Sequence, residues 1–300
     1  MATGLFTPHS LSIKNSISYA NLDLDKKKFQ NKKILIVGQG NSAFETADHL
    51  IDTASIIHIL GRQAPRFAWQ THYAGDLRAV NNNFLDTYQL KSQNGIITDY
   101  QEDIFKKIDK IDLKYDIVID CTGFIFDNSI FDKNISNNIP NNNQRVPILR
   151  SNFESSNISN LFFSGTLMQY ISYKKSSGAF IHGFRHLIES MVRIETNNLL
   201  TTEISYLKQL CDKIIDRINN SPEIFQMFGC LSDIFIVNNN NKENNEIIYI
   251  ENLPIKYVVE NYINKYSRVI IIYLNYGKNY GGHINQCQDL GKSTYVFGND

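Results

Sequence analysis

Short apolar runs alternate with stretches of helical spacing along the first part of the chain. The runs Ile34–Val37, Ser55–Leu60 and Asp116–Cys121 are rich in β-branched residues and predict strands buried within a sheet. Apolar residues recur at helical spacing directly after Ile34–Val37, which predicts a strand–helix–strand unit. An alternation of this kind is typical of an α/β fold.

Further elements follow from the same patterns. Other predicted strands are Gly95–Tyr100, Leu161–Ser164, Ile247–Glu251 and Arg268–Leu274. Other predicted helical segments are Ala68–Leu90 with breaks, Ser177–Ile194 and Leu207–Ile218. Two asparagine-rich segments, Asn128–Asn143 and Asn238–Asn245, predict exposed loops.

The strand predicted at Ile34–Val37 leads into a glycine turn with the sequence Gly38-Gln39-Gly40-Asn41-Ser42-Ala43. Gly38 permits the backbone angles of a sharp turn, and Gly40 lets a phosphate approach closely because it has no Cβ. Ala43 stands at the third glycine position of a dinucleotide fingerprint. The amides and the positive dipole end of the following helix would face the anion. We therefore predict that this segment binds a dinucleotide.

Two polar residues of the same helix have structural as well as functional interpretations. Ser42 lies where the helix start needs a cap, and its hydroxyl would also face a bound phosphate. Glu45 follows three residues later, as in a capping box, and this role is favoured over that of a catalytic carboxylate.

The residues that follow the predicted strand Ser55–Leu60 indicate which dinucleotide binds. An NAD site usually has an acidic residue there, about 20 residues beyond the glycines, to accept from the ribose 2′-hydroxyl. In this chain Gly61 and Arg62 occupy the place, and no acid does. A guanidinium matches a 2′-phosphate in charge and geometry, so the sequence predicts NADPH. Arg66 is either a second phosphate contact or an exposed loop residue, and the loop is favoured.

Composition sets only broad limits. The 300 residues suggest about two domains, and 30 basic against 30 acidic residues give no net charge that would favour nucleic acid. No apolar run approaches a membrane span, and no signal peptide is recognisable. The four cysteines, Cys121, Cys211, Cys230 and Cys287, form no C-x-x-C motif, so neither a metal site nor a redox pair is predicted.

No catalytic residue is predicted. His72 and Asp76 lie four residues apart on a predicted helix, where a surface pair is the commoner outcome. His182 is interpreted as a structural histidine. Hydride transfer between nicotinamide and flavin needs no protein acid, because the cofactors carry the chemistry and the protein aligns them.

Three glycine-ended segments follow one another in a set order: Ala2-Thr3-Gly4, the Gly38 turn and Asp120–Gly123. This order resembles flavin-dependent monooxygenases and related flavoproteins with two dinucleotide-binding domains. In those proteins the first and third turns mark where the chain crosses between the FAD domain and an inserted NADPH domain. Leu161–Gly165 resembles the late strand that brings the chain back under the flavin.

Longer motifs narrow the resemblance to the FAD-dependent oxidoreductase domain-containing protein 2 family, also called the endoplasmic-reticulum flavoprotein associated with degradation. The motifs are Gly40–Ala47, Thr71–Tyr73, Gly75–Ala79, Asp86–Ser92, Ser177–Arg185 and Tyr276–Lys278. They are long and specific, and the resemblance runs over most of the chain.

The resemblance implies a fold, its boundaries and its flavin-side residues. The fold is a Rossmann-like NADPH-binding domain inserted in an incomplete FAD-binding domain, with a C-terminal α+β extension. The implied boundaries are 1–30 for a lead-in from the FAD domain, 31–123 for the NADPH domain, 124–195 for the rest of the FAD domain and 196–300 for the extension. The implied flavin-side residues are Thr122, Gly123, Gly165, Thr166, Ser177 and Gly178.

The resemblance also implies a function. It predicts an FAD- and NADPH-binding oxidoreductase of the endoplasmic-reticulum lumen that takes part in disposal of misfolded glycoproteins, with lectin and thioredoxin-like partners. Two alternatives remain open: a non-catalytic nucleotide-binding scaffold of the degradation machinery, and a flavin monooxygenase of small amines or sulfides. Phe29–Lys32 lacks the Phe-x-Gly-x-x-x-His segment of monooxygenases, which counts against the last.

The sequence departs from that family at its ends. Neither a leader nor a retrieval tail is recognisable, and the chain ends Phe297-Gly298-Asn299-Asp300. Met1 stands immediately before Ala2-Thr3-Gly4, where the family has the strand and glycine turn for the FAD pyrophosphate. We therefore expect that this chain alone purifies without flavin while still binding NADPH weakly.

Overall fold

The structure is a computed structural model and describes residues 6–9, 16–62, 77–78, 81, 96–100, 115–142, 145–173, 176–238, 246–275 and 296–297. The chain divides into two compact units, one within Leu5–Asp127 and one that contains Asn128–Asp300. The first holds the glycine turn and is called the nucleotide unit below, and the second is called the C-terminal unit.

A parallel sheet of five strands forms the nucleotide unit. In chain order its strands are β2 (Ser16–Ser18), β3 (Lys33–Val37), β4 (Ile56–Gly61), β5 (Ile96–Tyr100) and β6 (Ile117–Asp120). They lie side by side in the order β2-β6-β3-β4-β5, and every pair is parallel. This confirms the predicted α/β fold. It also confirms the predicted strands at Ile34–Val37, Ser55–Leu60, Gly95–Tyr100 and Asp116–Cys121.

Helix α1 (Asn41–Leu50) connects β3 to β4 and packs on the sheet. Its residues Ala43, Phe44, Ala47 and Leu50 are fully buried, at the helical spacing that the sequence predicts. They join a single core with the buried isoleucines of the strands and with Phe29 and Leu77. Burial of β3 on both faces explains its continuous apolar run.

A two-stranded ribbon joins the two ends of the nucleotide unit. Strand β1 (Phe6–Pro8) pairs antiparallel with β7 (Phe124–Phe126), and Phe6 lies opposite Phe126. The chain therefore enters and leaves this unit at one place, next to Thr122-Gly123. Ala2-Thr3-Gly4 lies outside the described residues.

The C-terminal unit contains a second, mainly antiparallel sheet. Its strands are β10 (Thr201–Ile204), β11 (Leu231–Asn238), β12 (Glu246–Pro254), β13 (Arg268–Ile272) and β14 (Val296–Phe297), in the order β10-β12-β11-β13-β14. A small pair, β8 (Asn141–Asn142) with β9 (Val146–Pro147), precedes it.

The C-terminal unit also contains five helices among its described residues, and 3₁₀ turns occur in both units. The helices are α2 (Lys133–Ser136), α3 (Ile181–Glu195), α4 (Leu207–Asn220), α5 (Pro222–Gln226) and α6 (Ile255–Val258), which runs into a π-turn at Val259–Ile263. The 3₁₀ turns are Tyr19–Asn21, Lys26–Phe29, Gly165–Tyr170 and Ser177–Ala179.

The structure differs from the sequence predictions in two places. Leu161–Ser164 forms only an isolated bridge, between Phe162 and Glu154, so the strand predicted there is wrong. The buried strand β11 was not predicted. The implied domain boundaries stay predictions, while β2 and Phe29 join the sheet and core of the nucleotide unit, and Phe153 and Leu187 share a core with Met227 and Leu231.

Candidate dinucleotide site

The turn after β3 requires glycine at position 38. Gly38 has a φ of +121°, and a Cβ there would lie 2.3 Å from the main-chain oxygen of Cys121. Its amide donates to the carbonyl of Leu60 at 2.7 Å. The turn is therefore held between the carboxyl ends of β4 and β6, where a parallel sheet binds its ligands.

Gly40 has a different role at the start of α1. It is the N-cap residue, no side chain caps the helix, and a Cβ at this position would have no described atom within 4 Å. Ala43, one turn later, is fully buried against the sheet. The helix start is thus open to the approach of an anion, as the fingerprint predicts.

The predicted capping box is wrong. The carboxylate of Glu45 pairs with the guanidinium of Arg78 and does not return to the helix start, and Ser42 makes no cap hydrogen bond. The main-chain oxygen of Ser42 instead accepts from Thr46 Oγ1 at 2.7 Å. Because Gly40 takes the N-cap position, Ser42 lies within the first turn.

The first turn of α1 also anchors the segment around Arg78. Asn41 Oδ1 accepts from the main-chain amide of Arg78 at 2.9 Å and from Asn81 Nδ2 at 2.8 Å. The neighbouring Leu77 is fully buried in the same core. Two motifs that are far apart in the sequence, Gly40–Ala47 and Gly75–Ala79, are therefore in contact in the fold.

The structure places Arg62 beside the glycine turn. Arg62 is exposed and directly follows β4, the strand that pairs with β3. Gly61 before it is covered by the side chain of Gln39, because a Cβ at Gly61 would lie 2.6 Å from the Gln39 carboxamide. Gln39 thus packs the turn against β4. Arg66, His72 and Asp76 lie outside the described residues.

Thr122 and Gly123 occupy the carboxyl end of β6. Gly123 has a φ of +96°, and its carbonyl accepts from the main-chain amide of His9 at 2.8 Å. The Thr122 hydroxyl lies 2.7 Å from Asp120 Oδ1 and 3.0 Å from His9 Nδ1. Asp120 is 4% exposed. Sequence reasoning missed His9 because it lies 113 residues from Thr122.

The remaining predicted residues lie in the C-terminal unit. Gly165 has a φ of +74° with open space where a Cβ would be, and the neighbouring Thr166 Oγ1 is buried without a partner among the described residues. Both features fit a wall that faces a ligand. Ser177 and Gly178 are buried, and a Cβ at Gly178 would lie 2.5 Å from Ser172 Oγ. These four residues remain predictions as flavin contacts.

The cysteines that the structure describes are free thiols. Cys121 and Cys230 are buried and Cys211 is exposed, while Cys287 lies outside the described residues. Burial raises the pKa of the Cys121 thiol to about 12, so it remains protonated at neutral pH. A thiol that does not ionise is a poor redox nucleophile. Cys121 therefore packs as a small apolar side chain.

The described residues show neither a metal cluster nor a helix suited to span a membrane. No cluster of three or more histidine, cysteine or acidic side chains is arranged to hold a metal within the described ranges. None of the described helices combines the length and the apolar character of a membrane span. His182 is exposed and stacks on Phe180, with ring centroids 5.6 Å apart.

Comparison with known proteins identifies the family. The model of the family described as "Pyridine nucleotide-disulphide oxidoreductase" matches residues 1–165. FAD-dependent oxidoreductase domain-containing protein 2 of Mus musculus is 31% identical over 329 aligned positions, which cover 94% of this chain and 49% of that protein. Its counterpart in Danio rerio is 32% identical, with coverages of 85% and 46%.

The chain spans about half the length of these curated relatives. Among solved structures, a flavin monooxygenase from Stenotrophomonas maltophilia is 14% identical with a TM-score of 0.44, and the match covers 64% of this chain and 59% of that one. The resemblance inferred from the motifs is confirmed by the curated relatives. The chain therefore belongs to the pyridine nucleotide-disulphide oxidoreductase family of flavoproteins, as a relative of FAD-dependent oxidoreductase domain-containing protein 2.

Proposed function

We propose that the protein is an FAD- and NADPH-dependent oxidoreductase and that NADPH binds at the Gly38 turn. The observation that carries the proposal is the open, uncapped start of α1 at Gly40, with Arg62 at the end of the adjacent strand. Amides at a helix start bind a pyrophosphate, and a guanidinium binds the 2′-phosphate that distinguishes NADPH from NADH.

Family membership supports FAD as the second cofactor. Gly165 and Thr166 would hold it in the C-terminal unit, because one offers space without a Cβ and the other a buried hydroxyl. A bound flavin supplies the chemistry by accepting a hydride from the nicotinamide and passing electrons on. The residues of this chain bind and align the two cofactors, and none is assigned a proton-transfer role.

The electron acceptor in this proposal lies outside the described cysteines. Cys121 and Cys230 are buried, and none of the described thiols forms a disulfide. A redox pair of adjacent thiols would need exposure and a low pKa, whereas burial raises that of Cys121. None of the described thiols is therefore assigned as the electron acceptor.

The cellular part of the proposal rests on the motif resemblance. It locates the protein in the endoplasmic-reticulum lumen, in degradation of misfolded glycoproteins with lectin and thioredoxin-like partners. Proximity labelling in cells would test it: enrichment of luminal lectins and thioredoxin-like proteins is expected. A labelled set without luminal proteins would contradict this location.

Arg62 provides the test of NADPH binding. Arg62→Ala removes a charge-assisted phosphate contact of about 1.5–3 kcal/mol, so the affinity for NADPH falls about tenfold or more while that for NADH stays constant. Isothermal titration of both nucleotides measures this. Lys33→Ala, at the amino end of β3, is the matched control because it removes an exposed cation from the opposite edge of the sheet. Equal affinities of the unmodified protein for NADPH and NADH would refute the proposal.

Measuring the reduction of flavin by NADPH distinguishes an oxidoreductase from the non-catalytic scaffold. In preparations in which added FAD is first shown to bind, NADPH should bleach the flavin absorption near the visible maximum, and an added acceptor should restore it over many turnovers. Nucleotide binding without bleaching would favour the scaffold. A long-lived oxygenated flavin would favour the small-molecule monooxygenase.

A further inference from the structure

Three polar side chains form a hydrogen-bonded relay at the end of β6. The carboxylate of Asp120, which is almost fully buried, accepts from the main-chain amide of Thr122 at 3.0 Å. The same Oδ1 atom lies 2.7 Å from Thr122 Oγ1, and that hydroxyl lies 3.0 Å from His9 Nδ1. The relay therefore runs from a buried carboxylate to a half-buried imidazole.

The relay fixes the proton positions. The Thr122 hydroxyl has one proton, and its shortest contact is the Asp120 carboxylate, which can only accept when ionised. The hydroxyl oxygen must then accept from His9, so Nδ1 carries the proton. In the neutral imidazole, Nε2 is consequently the acceptor. No contact to Nε2 is seen within the described part of the chain.

The ribbon itself does not need this relay. The main-chain amide of His9 already donates to the Gly123 carbonyl at 2.8 Å, and β1 pairs with β7 along three residues. These main-chain bonds do not involve the imidazole, so they remain in His9→Ala. The imidazole relay is thus additional to what holds the ribbon in place.

Sheet order places the relay on one side of the glycine turn. Strand β3 lies between β4 and β6, Val37 is in register with Asp120, and Gly38 contacts the Cys121 carbonyl. Arg62 follows β4 on the other side. A dinucleotide crosses the carboxyl edge of such a sheet at its switch point. With its 2′-phosphate at Arg62 and its pyrophosphate at α1, its other half extends over β6.

We propose that His9 binds the nicotinamide half of NADPH, with Nε2 accepting a hydrogen bond from a donor on that half, and that Thr122 and Asp120 position it. The donors available there are the carboxamide N–H and the ribose hydroxyls. This inference rests on the proposed function, because it takes the Gly38 turn as the NADPH site.

Binding of two different ligands distinguishes a failure of this inference from a failure of the proposed NADPH site. NADPH carries both halves, whereas adenosine 2′,5′-bisphosphate has the 2′-phosphate but no nicotinamide. His9→Ala should weaken NADPH about fivefold, the effect of losing one neutral hydrogen bond, and leave adenosine 2′,5′-bisphosphate unchanged. Arg62→Ala should weaken both ligands. Isothermal titration against the purified full chain gives the four affinities, and circular dichroism verifies that each variant folds.

Thr122 tests the positioning role. Thr122→Val keeps the shape but removes the hydroxyl, so it should reproduce the loss seen for NADPH, whereas Thr122→Ser should restore binding. His49→Ala, in the last turn of α1, is the matched control and should bind both ligands normally.

Each outcome bears on one proposal or the other. If His9→Ala and Thr122→Val bind NADPH like the unmodified protein, or if they weaken both ligands equally, the inference is wrong while the NADPH site stands. If the unmodified protein binds neither ligand, the proposed NADPH site is wrong, and the inference about His9 is wrong as well because it depends on that site.

Discussion

At the scale of single residues, two glycines two positions apart serve different purposes. Gly38 is needed by the fold, because its φ of +121° and its contact with Cys121 exclude a side chain. Gly40 is not needed by the fold, since its backbone is extended and a Cβ would meet no described atom. The proposed NADPH site would explain why Gly40 has no side chain.

This difference predicts opposite behaviour of two alanine variants. Gly38→Ala should lower the free energy of unfolding by about 1–3 kcal/mol from backbone strain alone, and more from the clash with the Cys121 carbonyl. Gly40→Ala should unfold like the unmodified protein but bind NADPH at least about tenfold more weakly, since a Cβ would stand where the pyrophosphate approaches. Urea unfolding and calorimetric titration measure the two effects. Normal NADPH binding by Gly40→Ala would show that the phosphate lies elsewhere.

At the scale of elements, one buried ion pair joins a helix to the second sheet. Asp233 on β11 is fully buried and accepts from Arg217 of α4 through both oxygens, at 2.7 and 3.1 Å. It also accepts from the main-chain amide of Asn252 at 2.9 Å and from the Tyr249 hydroxyl. Burial and the nearby Asp233 carboxylate raise the pKa of Tyr249, so its hydroxyl keeps the proton that it donates. Each oxygen of the Asp233 carboxylate thus accepts two hydrogen bonds within the fold.

Removing one partner of this pair should be costly. Arg217→Met leaves the Asp233 carboxylate buried without its cation, and we expect a loss of about 3–5 kcal/mol in the free energy of unfolding. Arg193→Met is the control, because Arg193 pairs with Glu189 on the surface of α3 and such pairs contribute only about 0.3–0.5 kcal/mol. Urea denaturation followed by circular dichroism compares them. Equal losses in the two variants would contradict a structural role for the buried pair.

At the scale of the whole molecule, the ligand should act on one unit. The glycine turn, Arg62 and the His9 relay all lie within Leu5–Asp127, whereas the sheet around β11 lies in the other unit. A ligand stabilises the part of a protein that binds it, by about 2.7 kcal/mol at a concentration one hundred times its dissociation constant.

Hydrogen exchange with mass spectrometry should locate that stabilisation. Saturating adenosine 2′,5′-bisphosphate should slow exchange in β3, α1 and β6 and leave β11 and β12 unchanged, because global stability is not uniform across separate units. NADH at the same concentration serves as the control for a nucleotide without the 2′-phosphate. Slower exchange in β11 but not in β3 would contradict the assignment of the site.

The nucleotide unit could be predicted in outline from the amino-acid sequence. The strands at Ile34–Val37 and Asp116–Cys121, the helix after Gly38 and the position of Arg62 all follow from short-range features: apolar runs, helical spacing and glycine turns. Such features act between residues a few positions apart. They can therefore be recognised without knowledge of the rest of the chain.

Tertiary structure alone decided which distant side chains meet. Strand β11 was not predicted, although Ile234–Val237 is an apolar run as long as Ile34–Val37. The charge of Asp233 beside this run is tolerated because Arg217 and the main-chain amide of Asn252 reach it in the fold. Glu45 fits a capping box in the sequence, but in the fold its carboxylate forms an ion pair with Arg78. The His9–Thr122 contact depends on the ribbon that brings both ends of the nucleotide unit together. Local sequence patterns therefore predict the backbone elements. The ion pairs and hydrogen bonds between distant residues depend on the tertiary fold, because only the fold brings those residues together.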